Sequence, residues 1–176
     1  MKSEPLKDCK QEKRKEVKVT NITYRKANTS DVELLVNTRL KLLEEDSGFM
    51  TDSERQSLYQ SNKASMEAGM ANGTFFSFLA FDNDVFVGTC STCLYSVLPG
   101  RKLPDGKNAY IQNMFVVPPY RRNGIGKFLT SLCVNEAINL HYSRITLHAT
   151  QKGKLLFDHC GFNTIDDKKL ILMVHE

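Results

Sequence analysis

The chain has 176 residues and a formal net charge of only +4, with 41% hydrophobic and 25% charged residues. That is enough chain for one domain with a substantial core, and it contains no 18-residue apolar run, so neither a membrane span nor an export signal is expected. Seven basic and four acidic residues fall within 1–18, leaving the remainder nearly neutral, which argues against nucleic acid as the main partner.

Met1–Lys18 reads as a mobile charged extension and 19–176 as a single domain. Val19–Lys26 reads as a first strand. Ser30 and Glu33 fit a capping box, and Val32, Leu35, Val36, Leu40 and Leu43 mark one helix face to about Glu45. Glu44, Glu45 and Asp46 close that helix with acids, which its dipole disfavours. They read either as a solvated end or as a negative rim for a cationic substrate, with Glu44 and Glu45 as the contacts. A second helix spans Thr51–Asn72, with Ser53 and Gln56 as its capping box and Gly69 and Gly73 bracketing its end. Its apolar face of Leu58, Met66 and Met70 is thin, which suits either a flap or a poorly buried helix.

Thr74–Phe81 and Val85–Tyr95 read as antiparallel strands joined by the turn Asp82-Asn83-Asp84. A loop follows over Val97–Lys107. The five cysteines form no paired framework, and Cys90 and Cys93, three apart in a strand, point to opposite faces. They read as thiols of a cytoplasmic protein, and no metal set is expected.

Ala109–Val117 is an apolar strand that Pro118 and Pro119 stop, since neither donates a ladder hydrogen bond. A basic glycine turn follows, and then a helix whose face carries Ile125, Phe128, Leu129, Leu132, Cys133, Ala137 and Leu140. The first amides of a helix lack internal partners, and its dipole adds positive charge there. Gly124 and Gly126 remove Cβ atoms from the approach, while Arg121, Arg122 and Lys127 add charge. A phosphate-bearing ligand is expected at this turn. A Walker loop does not fit, because Arg121 stands where its first glycine belongs and Phe128 follows Lys127. A dinucleotide fingerprint lacks its third glycine at Leu129.

The remaining elements are a buried strand at Arg144–Thr150 and a short helix at Gly153–Cys160 with Leu155, Leu156, His159 and Cys160 on one side. Gly161 caps that helix, Asp166–Lys169 forms a turn, and Leu170–His175 is a last strand.

Arg121-Arg122-Asn123-Gly124-Ile125-Gly126 after an apolar strand resembles motif A of the GNAT superfamily of N-acetyltransferases, and Leu156–Phe162 resembles the ending found in its small bacterial members. The resemblance implies an α/β (α+β) fold with a mixed, mostly antiparallel central sheet, flanked by helices and splayed at the acyl-CoA strand. It implies acetyl-CoA as co-substrate, held by the backbone of Met114, Phe115 and Val116 and by the loop from Arg121 through Arg122, Asn123, Gly124, Ile125 and Gly126 to Lys127. Thr150 stands where many members have an asparagine that contacts CoA. Phe157 stands where many have a tyrosine acid, and a phenyl ring cannot donate that proton, so Phe157 reads as core. The acceptor implied is a small-molecule or peptide amine, attacking the thioester directly. A homodimer also follows from the resemblance. No carboxylate occupies the strand, so His148, Tyr95 and Asn113 are the catalytic candidates, each with a structural reading beside it. Two other classes are an acyl-CoA-binding sensor without turnover and a nucleic-acid or partner-binding protein using Lys2–Lys18 and the arginine loop.

Overall fold

A computed structural model describes residues 21–164. The expected extension at 1–18, the turn at 166–169 and the strand at 170–175 lie outside the described residues. Among these residues, nine α-helices and strands run in the order β1 (Ile22–Lys26), α1 (Val32–Ser47), α2 (Asp52–Asn72), β2 (Phe75–Asp82), β3 (Val85–Ser96), β4 (Lys107–Val116), α3 (Ile125–Asn139), β5 (Arg144–Leu147) and α4 (Gln151–Asp158). The five strands lie in sequence order, the first four antiparallel and β5 parallel to β4. This is the mixed, mostly antiparallel sheet expected from the sequence.

Strand alternation builds two cores. Phe76 and Ala80 join Cys90, Ala109 and Ile111 beneath Ile125, Leu129, Cys133 and Ala137 of α3. Phe75 and Leu79 face the other way, onto Val32, Leu35, Val36 and Leu40 of α1 and Met66 of α2. Cys90 belongs to the first core and Cys93 packs against the second, as their three-residue spacing requires.

Several boundaries differ from the sequence reading. The helical entry to α1 is capped by Asn28, whose side chain accepts from the Ser30 N–H, while Asp31 reaches back to the Asn28 N–H at 2.8 Å. Ser30 is no cap, because Asn28 and Asp31 satisfy those amides first. Glu33 instead accepts from the Tyr59 hydroxyl of α2. At α2 the box is Thr51 with Glu54, two residues before the expected one, since Thr51 holds the extended backbone a cap needs. Asp82 belongs to β2, leaving Asn83 and Asp84 as the turn, with Asn83 at φ +54°. Lys107 opens β4 rather than closing the loop before it.

Phe128 and Leu140 are exposed, because the buried face of α3 centres on Ile125, Leu129, Thr130, Cys133 and Ala137. Phe128 lies instead against the Tyr24 ring at 4.3 Å. β5 ends at Leu147 and is half-buried rather than buried, since it is the sheet edge among the described strands. α4 starts at Gln151 because Thr150 caps it, accepting from the Gly153 N–H at 3.2 Å. Its buried residue is Phe157, packed edge-on against Phe162, whereas Leu155 is exposed.

Candidate active site

β4 pairs with β3 along its length but with β5 only from Asn108 to Ile111. Beyond Ile111 the two strands part, and the β5-side edge of β4 has no strand partner among the described residues. The Val117 N–H bonds to Val87 O of β3, so alternation turns the Val116 and Met114 edges toward the opening. Arg121 confirms the direction by donating Nε–H to Val116 O at 2.7 Å from that side. Within the expected strand segment Met114–Val116, Met114 and Val116 thus turn ladder groups away from β3 with no strand partner, and Val116 O is taken by Arg121. Among the segment's side chains, Met114 and Val116 pack against the α3 core, and Phe115 is buried, with the Lys41 ammonium 5.5 Å and the Arg121 guanidinium 5.8 Å from its ring centroid.

A bulge sits at the point of parting. Thr89 pairs with Phe115 and Ser91 with Gln112, so Asn113 and Met114 oppose the single residue Cys90. Asn113 takes φ +52°, a left-handed conformation that asparagine tolerates. It is buried, with Nδ2 3.5 Å from Ser91 Oγ, and Ser91 donates to Ser77 Oγ at 3.0 Å. Ser77 in turn meets Thr89 Oγ1 at 2.9 Å and donates to Cys90 O. Because the Ser91 hydrogen is spent on Ser77, Ser91 can only accept from Asn113. The row of hydroxyls therefore fixes the amide with its NH₂ inward. Asn113 Oδ1 is left as a buried acceptor with no partner.

The strand runs through Pro118–Tyr120 into the basic turn, where Arg122 and Gly124 take φ +72° and +77°. Asn123 ties the loop by donating Nδ2–H to Tyr120 O. Gly124 caps α3 without any side-chain bond, and the first ladder bond runs from the Phe128 N–H to Gly124 O. The amides of Ile125, Gly126 and Lys127 precede that ladder and point outward with the positive end of the helix. A Cβ built on Gly124 meets nothing within 4 Å, which leaves the turn open for a phosphate. Gly126 serves differently from expectation. A Cβ there would come within 3.2 Å of Leu156 on α4 and 3.7 Å of Val116, so this glycine lets α3 close on strand and helix.

Glu44 and Glu45, expected on an acidic rim, have internal partners. Glu44 pairs with Arg55 of α2, and Glu45 accepts from Arg121 at 2.9 Å. Tyr95 is exposed near the end of β3. His148 lies just past β5, its Nδ1 2.9 Å from the Tyr110 hydroxyl of β4. Sequence reasoning did not connect Tyr110 with His148, because only the β4–β5 register brings the two together. The hydroxyl row did leave a signal, as Ser77, Thr89 and Ser91 are polar residues inside otherwise apolar strands. Among the described residues no three His, Cys, Asp or Glu gather as a metal set, and no helix is long and apolar enough to cross a membrane.

A mixed sheet parted after one short parallel pairing, with a phosphate-type turn at its mouth, defines an α/β acyltransferase scaffold. The chain belongs to the acetyltransferase (GNAT) family, whose model matches residues 39–162. It is similar to a predicted acetyltransferase with acetyl-CoA from Clostridium acetobutylicum, at 27% identity and TM-score 0.78, over 87% of this chain and 96% of that one. A GCN5-related N-acetyltransferase from Ralstonia eutropha JMP134 shares the fold at 20% identity and TM-score 0.76, over 86% and 99% of the chains. Glucosamine-6-phosphate N-acetyltransferase from Arabidopsis thaliana does so at 16% and 0.61, over 89% and 99%. No curated protein matches the chain.

Proposed function

We propose that the protein transfers the acetyl group of acetyl-CoA to a primary amine by direct attack. The observation that carries this reading is the continuity of two binding features. The unpaired edge at Met114–Val116 leads straight to the uncapped amides at Ile125–Lys127. An extended amide-bearing arm ending in a diphosphate matches that sequence of donors and acceptors, and the Clostridium structure contains acetyl-CoA on a similar fold. The acetyl carbonyl then falls near the bulge, beside Asn113, where free backbone amides can hold developing negative charge.

Direct attack is supported by the state of the neighbouring thiol. Cys93 receives the Gln112 amide at 2.8 Å, and burial raises its pKa above the usual 9.0, which keeps the thiol protonated and a poor nucleophile. Arg121 now bridges Val116 O and Glu45. A diphosphate at the turn competes with Glu45 for that guanidinium, a stronger pairing by charge.

The test is calorimetric titration of acetyl-CoA, followed by thiol release with a panel of primary amines. Binding with amine-dependent release is expected. Gly124→Asp should lower acetyl-CoA affinity at least about 100-fold, because it sets a carboxylate against the phosphates and forces a side chain to a positive φ. A folded Gly124→Asp protein with unchanged affinity refutes the site. Binding without release by any amine favours an acyl-CoA sensor instead.

A further inference from the structure

The parallel pairing of β4 with β5 ends at Ile111 and Leu147, and His148 is the next residue in the chain. Tyr110 pairs with Thr146, so alternation places Tyr110 and His148 on one face of the sheet. There the Tyr110 hydroxyl and His148 Nδ1 meet at 2.9 Å, with the rings edge to face at 5.7 Å between centroids. Gln112 and Asn113 project from the same face, toward Cys93 and Ser91. A strand advances about 3.3 Å per residue and its neighbour lies about 4.8 Å away. The imidazole therefore stands within side-chain reach of the first unpaired backbone groups of β4.

We propose that Tyr110 and His148 form the proton-accepting pair for the substrate ammonium, with His148 taking the proton at Nε2 and Tyr110 as the positioning residue that holds its ring. The proposal rests on the acetyl-transfer reading above. Arg39 of α1, Tyr95 and Cys93 of β3, and His148 are the titratable groups that face Tyr110. Burial is the largest influence on its hydroxyl and raises it above the usual 10.0, so the phenol keeps its proton at neutral pH. A phenol oxygen can accept from Nδ1–H, and that tautomer leaves the Nε2 lone pair free. The same bond survives protonation, since both nitrogens of an imidazolium donate. The pair needs no rearrangement as it works. His148 is exposed, so the captured proton passes to water.

The step balances as follows. The ammonium gives one proton to Nε2, and the freed nitrogen lone pair forms the nitrogen–carbon bond. The carbon–sulfur bond breaks with its electrons on sulfur. A second proton from the nitrogen goes to the departing thiolate, and the amide keeps the third hydrogen.

The experiment is the pH profile of kcat/KM for the best amine in wild type, His148→Ala and Tyr110→Phe, with acetyl-CoA affinity measured by calorimetry for each. His148→Ala is expected to lose about 100-fold at neutral pH and to flatten the acidic limb, while added imidazole restores part of the rate. Tyr110→Phe keeps the ring, should lose about tenfold in kcat, and should displace the acidic limb at unchanged acetyl-CoA affinity. A wild-type profile in either variant overturns the pair while the acetyl-transfer reading stands. A wild-type chain that fails to bind acetyl-CoA, or binds it and releases no thiol with any amine, overturns that reading and the pair with it.

Discussion

Asn113 sits at φ +52° in the middle of a strand, where most residues would be extended. Two demands meet there. The bulge needs a left-handed residue, and the hydroxyl of Ser91 needs a donor. Asparagine meets both, whereas alanine meets neither and glycine meets the first. Asn113→Ala is therefore expected to be less stable than Asn113→Gly by about 1 kcal/mol, although alanine keeps more side chain. Urea denaturation midpoints decide it. Equal midpoints would mean that the bulge relaxes to an extended backbone and that the left-handed conformation is no constraint. The sequence offered Asn113 as a catalytic candidate on the strand with a structural reading beside it. It could not show the bulge, because a bulge is a mismatch between two strands, and one strand read alone contains no record of it.

Elements were legible where one local pattern dictated them. The strand into the proline pair, the glycine turn and the start of α3 lie close to where periodicity and turn chemistry put them, because every signal there is local. The caps of α1 and α2 slipped by two residues because several Ser, Thr, Asn and Asp side chains compete for the same free amides. β5 was shortened, since only pairing with β4 defines it. Gly69 shows the same limit. Expected with Gly73 to bracket the end of α2, as it does, it lies inside the last turn, where the chain reverses into β2 and where packing rather than capping needs a glycine. A Cβ on Gly69 would stand 2.5 Å from Phe75 Cβ and 3.4 Å from the Phe75 N. Phe75 is buried in the α1–α2 core, so it cannot simply swing aside. Gly69→Ala gains about 1 kcal/mol of helix propensity but should lose about 2 kcal/mol net through the forced shift of Phe75. Chemical denaturation with an unchanged slope tests this. A stabilised variant would show that the α2–β2 reversal yields without cost.

At the scale of the molecule, two helical layers must be fixed to opposite faces of one sheet, and the corner between β1 and α1 fastens one of them. Asp31 accepts from both terminal nitrogens of Arg25 at 2.7 Å and from the Asn28 N–H at 2.8 Å. Arg25 also lies over the Phe81 ring of β2, 5.0 Å from its centroid. One buried carboxylate thus ties the edge strand, the entry to α1 and the sheet face into a unit. The Arg25 hydrogen bond is the largest influence on that carboxyl and holds it below the usual 3.8. A carboxyl with a lowered folded pKa contributes stability that is complete above its unfolded value and is lost as pH falls through the folded one. The unfolded value is about 3.9. Wild type should therefore be more stable than Asp31→Asn at pH 7, with the gap constant down to roughly pH 5 and closing below about pH 4. Other carboxylates protonate equally in both proteins, so the difference isolates Asp31. Thermal midpoints of the two proteins between pH 7 and pH 2.5 provide the comparison. A gap that persists undiminished in acid would mean that asparagine is disfavoured by packing at the corner rather than by the loss of an ionised partner for Arg25.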